Sequence, residues 1–188
     1  FGYDTGPANG LMDSWCQQHR NTPYDNHGEW ASTGTINTDL LAQLLAHPFF
    51  SLPYPKSTGR EDFNLPWLKN ELTHFPKVKI QDVQATLLAL TVESIAQSIE
   101  AHDQPASAEI YVCGGGSKNI ALMNNLSKRL GVRPVASTDA LGISSDWVEA
   151  VAFAWLAKQT MNKVTGNLPS VTGANHPVIL GGVYWGND

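Results

Sequence analysis

The sequence predicts an α/β lobe in which a central mixed or mostly parallel sheet is flanked by helices. Three observations lead there. Short apolar strand-like stretches alternate with longer stretches of helical periodicity, the order from which layered α/β architectures are built. One junction, within residues 109–130, reads strand, Gly-Gly-Gly, helix. Finally, 188 residues that are 42% hydrophobic suffice for a substantial core, which favours one domain or one large lobe.

The elements follow in order. The chain opens on "GYDTGPAN" at residues 2–9, an acidic, glycine-rich turn that reads as an N-terminal loop or as the working end of a strand. Residues 10–19 form a helix with Leu11, Met12, Trp15, Cys16 and His19 on one face. A second helix at 38–46 follows Asn37, a good N-cap, carries Leu40, Leu41, Leu44 and Leu45, and ends at Pro48. Residues 48–76 hold five prolines and read as a long ordered loop with short turns. The longest helix spans 82–101, with Asp82 as cap and Leu88, Val92, Ile95 and Ile99 as its stripe. A short strand at 109–113 enters the glycine turn, and a helix at 118–130 leaves it with Ile120, Met123, Leu126 and Leu130 inward. Gly131 stands at its C′ position, and residues 132–136 form another short strand. "SSDWVEAVAFAWLAKQTM" is a further helix, with Val148, Val151, Ala152 and Trp155 on one stripe. The tail has turn signals and a final apolar stretch at 178–180, and the aromatic groups of Trp155, Tyr184 and Trp185 read as core or interface.

Composition narrows the function. A net charge of −5 argues against a non-specific nucleic-acid binder, which carries a basic footprint. It leaves room for an anionic small ligand, because backbone N–H groups hold phosphate without net positive charge. Two cysteines, Cys16 and Cys113, make no disulfide framework and fit a reducing cytosol. No apolar run approaches the roughly 18 residues of a membrane span.

The glycine turn carries the clearest chemistry. Gly114, Gly115 and Gly116 let the backbone turn sharply and let a flat or anionic ligand approach, and the next helix offers free N–H groups. A dinucleotide fingerprint requires glycine at 119, where the chain has Asn119, and no Gly-Lys-Ser/Thr follows as in a Walker A loop. A plain strand-to-helix turn satisfies the same pattern. In the opening turn, Asp4 is a candidate general base or metal-binding group, with a capping role as the alternative. Thr5 and Gly6 present a hydroxyl and an amide suited to phosphate, while Pro7 and Asn9 fix the turn. Asp146 and Glu149 have capping-box spacing, against a reading with Glu149 facing a cleft. Arg60, Glu61 and Asp62 sit together in "STGRED", where Arg60 can clamp a carboxylate or phosphate or join an internal ion pair. The six histidines show no zinc-like spacing.

Taken together, "GYDTGPAN", "STGREDFNLPWL", "VCGGGSKNIALMNNL", "ALGISSDWVEAVAFAWLA", "GNLPSVTGA" and "VILGGVYW" resemble, in this order, the C-terminal half of bacterial anhydro-N-acetylmuramic acid kinases. The resemblance covers essentially the whole chain. The usual family form of the first motif is F-D-T-G-P-G-N; here Tyr3 and Ala8 replace the Phe and the second Gly. The resemblance implies the two-lobed fold of sugar kinases, Hsp70-type ATPases and actin (ribonuclease H-like), with ATP in the cleft between lobes. Residues 1–188 are then the C-terminal lobe. The N-terminal lobe, with its Gly-Thr-Ser-rich first phosphate loop, is absent from this chain, so the reaction belongs to the complete polypeptide.

The reaction so implied opens 1,6-anhydro-N-acetylmuramic acid with water and phosphorylates O6 from ATP with Mg²⁺, in a cytoplasmic cell-wall recycling enzyme. On these residues, Asp4 is the general base, Thr5 and Gly6 approach the phosphates, and Gly114, Gly115, Gly116 and Asn119 hold the adenosine side. Glu149 and Arg60 are substrate-binding. The implied partners are the sugar, the N-terminal lobe and a second copy in a homodimer, with no nucleic acid, membrane or dedicated metal-ligand set. Another sugar kinase of the same fold, or a non-catalytic nucleotide-binding or dimerisation lobe, stays open as a reading of the residues.

Overall fold

The computed structural model describes residues 2–184 and Gly186. Its centre is a helix, not a sheet. The first helix, α1 (Gly10–Arg20), buries Leu11, Met12, Trp15 and Cys16, and His19 lies against the Trp15 ring at 4.0 Å between centroids. α2 (Thr38–Leu45) starts where the Asn37 side chain accepts the Leu40 N–H at 2.9 Å, and it buries Leu40 and Leu44. α3 (Leu65–Leu72) lies within the stretch expected to be loop. The Asn64 side chain caps it by accepting the Trp67 N–H, and Pro66 falls in its first turn, where a missing N–H costs nothing. The prolines therefore start this helix and do not exclude one.

α4 (Ile80–His102) is the spine, packed against α1, α2 and later α5. It begins two residues before Asp82, which does not cap it; Asp82 Oδ1 instead accepts the Thr35 N–H at 2.8 Å. Buried on several sides, α4 hides four polar residues, Gln84, Thr86, Thr91 and Ser94, as well as its apolar ones. Each has work to do. Thr86 Oγ accepts the Asn37 N–H at 3.0 Å and so anchors the start of α2. Gln84 Nε2 donates to Asp25, whose carboxylate also accepts the N–H groups of Trp30 and Ala31. Thr91 holds the opening loop, as described below, and Ser94 Oγ donates to the Thr91 carbonyl at 3.1 Å.

The sheet is smaller than the expected central mixed sheet. It has two strands among the described residues, β1 (Ile110–Val112) and β2 (Val135–Ser137), paired in parallel with Ile110 opposite Val135. α5 (Ile120–Leu130) connects them, which makes a βαβ unit. Leu122, Leu126 and Leu130 face the core, but Ile120 is exposed at the first turn. Arg129 ties α5 to α4, reaching Glu93 at 2.9 Å and Glu100 at 2.7 Å. Two more helices follow, α6 (Val148–Met161) and α7 (Pro169–Thr172), and neither buries a residue. Trp155 and Tyr184 are exposed, so the aromatic tail is not core within this chain; Trp185 lies outside the described residues. The apolar stretch at 178–180 forms no strand; its first residue accepts the Gly166 N–H at 3.1 Å through the Val178 carbonyl.

Candidate functional site

Residues 2–9 are irregular backbone pinned from two sides. Asp4 N–H donates to the Lys56 carbonyl at 3.0 Å, and Thr91 Oγ of α4 donates to the Ala8 carbonyl at 2.8 Å. Gly6 passes so close to α4 that a Cβ there would sit 3.0 Å from Ser94 Oγ and 3.1 Å from the Phe50 ring. The Asp4 carboxylate is exposed yet held. Ser57 Oγ donates to it at 2.7 Å and the Thr58 N–H at 3.0 Å, both on Oδ2. The loop that supplies these donors is ordered by its own polar groups. Thr58 Oγ donates to Asp62, and the Asn64 amide donates to the Arg60 and Glu61 carbonyls before Asn64 caps α3. Local hydrogen bonding thus turns the "STGRED" stretch into a bracket for Asp4.

The glycine turn is fixed at its first residue. Gly114 has φ 69° and ψ −165°, a combination that essentially only glycine adopts. Its N–H donates to the Ser145 carbonyl at 2.8 Å, and its carbonyl accepts the Ser117 hydroxyl at 2.7 Å. Gly115 and Gly116 look toward the start of α1: a Cβ on Gly116 would be 3.6 Å from Asn9 Nδ2. The end of the opening loop and the glycine turn, far apart in sequence, therefore meet across the Asn9 amide.

Beside this meeting point lies a cavity of about 350 Å³, lined in part by Asn9, Asp13, Asp25, Gly115, Lys118 and Asn119. Its far wall exists because Gly28, at φ 72°, brings its loop against α5; any side chain at 28 would overlap Asn119 and Ala121. Burial pushes the Asp13 carboxyl up from its ordinary value, and the Arg60 guanidinium acts in the opposite sense. A half-buried carboxyl, two amides and backbone N–H groups at a glycine turn form a polar recess able to read a hydrogen-bonding ligand.

The sequence-predicted residues distribute as follows. Asn119 lines the cavity and caps α5, its Oδ1 accepting the Leu122 N–H at 3.0 Å. Thr5 lines a different cavity of about 280 Å³, with Tyr3, Lys56, Ser94 and His102. Arg60 and Glu149 are exposed and line neither. The capping-box alternative for Glu149 fails: the N-cap of α6 is Trp147, which makes no side-chain cap, and Asp146 pairs with Lys118 at 2.5 Å. The internal ion pair considered for Arg60 is not among the described salt bridges. Ser57, Thr58 and Asp13 were missed. Ser57 and Thr58 stand at the head of the very motif singled out for Arg60, and Asp13 sits four residues after Asn9, one helical turn along the same face.

Comparison with known proteins supplies the context. The family profile described as anhydro-N-acetylmuramic acid kinase matches residues 1–186. A protein of Pasteurella multocida (strain Pm70) carrying that name is 51% identical over 184 residues, covering 98% of this chain and 49% of its own length. Its namesake from Nitrosomonas europaea is 51% identical over 183 residues, 97% of this chain and 50% of its own. A third, from Coxiella burnetii (strain RSA 493 / Nine Mile phase I), is 50% identical over 186 residues. The chain thus spans about half the length of the curated relatives it matches. With the match running through both the Asp4 loop and the glycine turn, the chain belongs to the anhydro-N-acetylmuramic acid kinase family.

Proposed function

We propose that residues 1–188 are the C-terminal lobe of a two-lobed kinase of the actin-like fold. The longer polypeptide opens 1,6-anhydro-N-acetylmuramic acid with water and phosphorylates O6, giving N-acetylmuramic acid 6-phosphate and ADP. The observation that carries this reading is the held but exposed Asp4 carboxylate. Both of its side-chain hydrogen bonds fall on Oδ2, which among the described residues leaves Oδ1 as the oxygen available to a water. The chemistry balances on that group. Asp4 takes a proton as the water oxygen bonds to the anomeric carbon. The bridge to O6 breaks, and O6 receives the γ-phosphoryl group as ADP departs.

The glycine turn and the cavity beside it fit a nucleotide, while Thr5 lines the separate cavity of about 280 Å³. The turn is open, with nothing within 4 Å of a Cβ at Gly114, and the adjoining cavity of about 350 Å³ has polar walls. Gly114, Gly115, Gly116 and Asn119 are assigned to the adenosine side, and Gly6 and Thr5 to the phosphates. Mg²⁺ is assigned to the phosphate oxygens and water. Bound there, ATP and Mg²⁺ supply the phosphoryl group and neutralise its charge. Glu149, free of capping duty, is assigned to the sugar side together with Arg60. Both cysteines are free, in keeping with a reducing, cytoplasmic site of action; no helix among the described residues is long and apolar enough to cross a membrane.

The test uses the full-length polypeptide with ATP, Mg²⁺ and the anhydro-sugar in ¹⁸O-labelled water. The expected product carries one phosphate and one labelled oxygen at the anomeric carbon, and Asp4→Asn lowers its rate of formation by about 10²–10⁴-fold without unfolding the protein. A phosphorylated sugar without label would make this an ordinary sugar kinase. No product from a folded protein would leave only a non-catalytic lobe.

A further inference from the structure

Past Ser145 the chain stops contributing to the core: no described residue from 146 onward is buried. α6 dominates this region, and its composition is that of an interior helix. Trp147 is 64% exposed, Phe153 70% and Trp155 51%, with Val151 and Met161 also exposed. These residues do not form one stripe. Trp147, Val151 and Trp155 follow one another at helical spacing on one side, while Phe153 projects from the opposite side. The tail covers only a narrow strip between them, where Leu156 meets Gly166. Its charged residues, Glu149 and Lys158, stand in its first and last turns; a helix apolar on opposite sides between them belongs inside a larger structure, and a helix of 14 residues gains most of its stability from what packs on it.

Two further observations identify the cover. The relatives carry about as much chain again outside the stretch matched here, enough for a second lobe. The start of α6 is also locked to the candidate site, through Lys118–Asp146 at 2.5 Å and the Gly114 N–H on the Ser145 carbonyl at 2.8 Å. Whatever covers α6 is thereby delivered beside the glycine turn and Glu149. We propose that α6 is the docking helix for the N-terminal half of the same polypeptide, which encloses it on both the Trp155 and Phe153 sides. This rests on the two-lobed reading given above. A second copy of the chain is the lesser fit, because a two-fold contact covers one patch on each partner and leaves the opposite side of the helix bare.

The experiment uses the full-length polypeptide carrying Phe153→Cys, with Val132→Cys as the exposed comparison, since Val132 is 82% exposed in the turn between α5 and β2. Maleimide labelling is followed site by site by peptide mass spectrometry. Residue 153 is expected to label at least about tenfold more slowly than 132, at a rate independent of protein concentration. Equal labelling in a folded protein overturns the proposal, and protection that disappears on dilution overturns it in favour of a second copy. Hydrogen exchange on the unsubstituted full-length protein repeats the measurement without a core substitution: slow amides across 148–161 are expected, and fast ones overturn the proposal. The same preparation is assayed for sugar phosphate. Product with free labelling defeats the docking helix alone, whereas protection without product supports the docking and defeats only the kinase reading.

Discussion

The bracket around Asp4 makes a quantitative prediction. Ser57→Ala removes a 2.7 Å hydroxyl-to-carboxylate hydrogen bond and leaves the Thr58 N–H at 3.0 Å in place. The Asp4 N–H on the Lys56 carbonyl also remains, so the backbone of the loop is not released. A hydrogen bond to a charged group contributes about 1.5–3 kcal/mol, and exposure to solvent brings this one to the lower end or below it. Roughly 1–2 kcal/mol of lost orientation corresponds to about 5–30-fold in kcat. That is well short of the loss expected for Asp4→Asn, where the proposed base itself is gone. The assay is sugar phosphate formation at saturating ATP and sugar by the full-length protein. Ser57→Thr restores a hydroxyl at the same position and should recover most of the activity. Because the serine's side-chain hydrogen bond among the described residues goes to Asp4, the proposed base, KM for ATP should change little. Two results would refute the reasoning: Ser57→Ala turning over like the parent, or Ser57→Ala losing as much as Asp4→Asn. The first would mean that the bracket does not orient the base, and the second that it supports the fold.

Gly114→Ala places a side chain where φ 69° and ψ −165° admit essentially only glycine, at a cost of about 1–3 kcal/mol, although nothing within 4 Å obstructs the new methyl. The expected result is weaker ATP binding by calorimetry, and unchanged affinity would show that the turn does not touch nucleotide. Ala8→Gly relieves a residue held at φ 47°, and relief of about 1–2 kcal/mol outweighs the entropy of the added glycine, for a net gain near 0.5–1 kcal/mol in urea melts; a loss of stability would contradict it. Arg129→Met breaks a bidentate pair with Glu100 and an Nε–H shared between the two oxygens of Glu93, all about one-third exposed, and should cost about 1–2 kcal/mol at neutral pH. Its hydrogen bonds hold the Glu100 carboxyl below the ordinary 4.5, so the pair's contribution is complete above that value and fades as pH falls through the lowered one. Parent and variant melts should therefore converge in acid, and a gap that persists there would assign the loss to packing.

The fold was legible wherever burial and local chemistry agree. α1, α2 and α5 appear within two residues of their expected bounds because each has an apolar face matched to the core. The start of α4 was misjudged because Asp82 resembles a cap, yet its carboxylate serves a backbone N–H across the structure, on Thr35. α3 was hidden by the prolines around it, although Asn64-Leu65-Pro66 is itself a helix-start signal: a side-chain acceptor followed by a first turn in which proline is tolerated. The sheet was overestimated because an α/β pattern in half of a longer polypeptide does not say how many strands this half closes by itself. α6 was the most instructive case. Its period was read correctly as helical, but nothing in a helical period tells which body the helix packs on.

The candidate site was legible at the glycine turn, but not at Gly28 or at its hydroxyls, and the reason is physical. Gly114 and Gly28 are required by backbone conformations and close approaches that no other residue tolerates, so the requirement is written into residue identity. Ser57 and Thr91 act through hydroxyl hydrogen bonds that many polar residues can make, and Thr58 through a backbone N–H that any residue but proline supplies; their importance comes only from what the fold brings within 3 Å. Asp13 shows the same asymmetry. On the sequence it is one more acid in a helix; in the structure it is half-buried, opposed by Arg60, and one turn from the Asn9 amide that faces the glycine turn. This gives Arg60 a consequence that its motif did not disclose. Its charge offsets part of the burial that would otherwise favour protonated Asp13, so Arg60→Gln should leave Asp13 easier to protonate. The measurement is the carboxyl ¹³C chemical shift of Asp13 against pH in the full-length protein. The midpoint should move upward in the variant, and an unmoved midpoint would separate Arg60 from the cavity and return it to the surface.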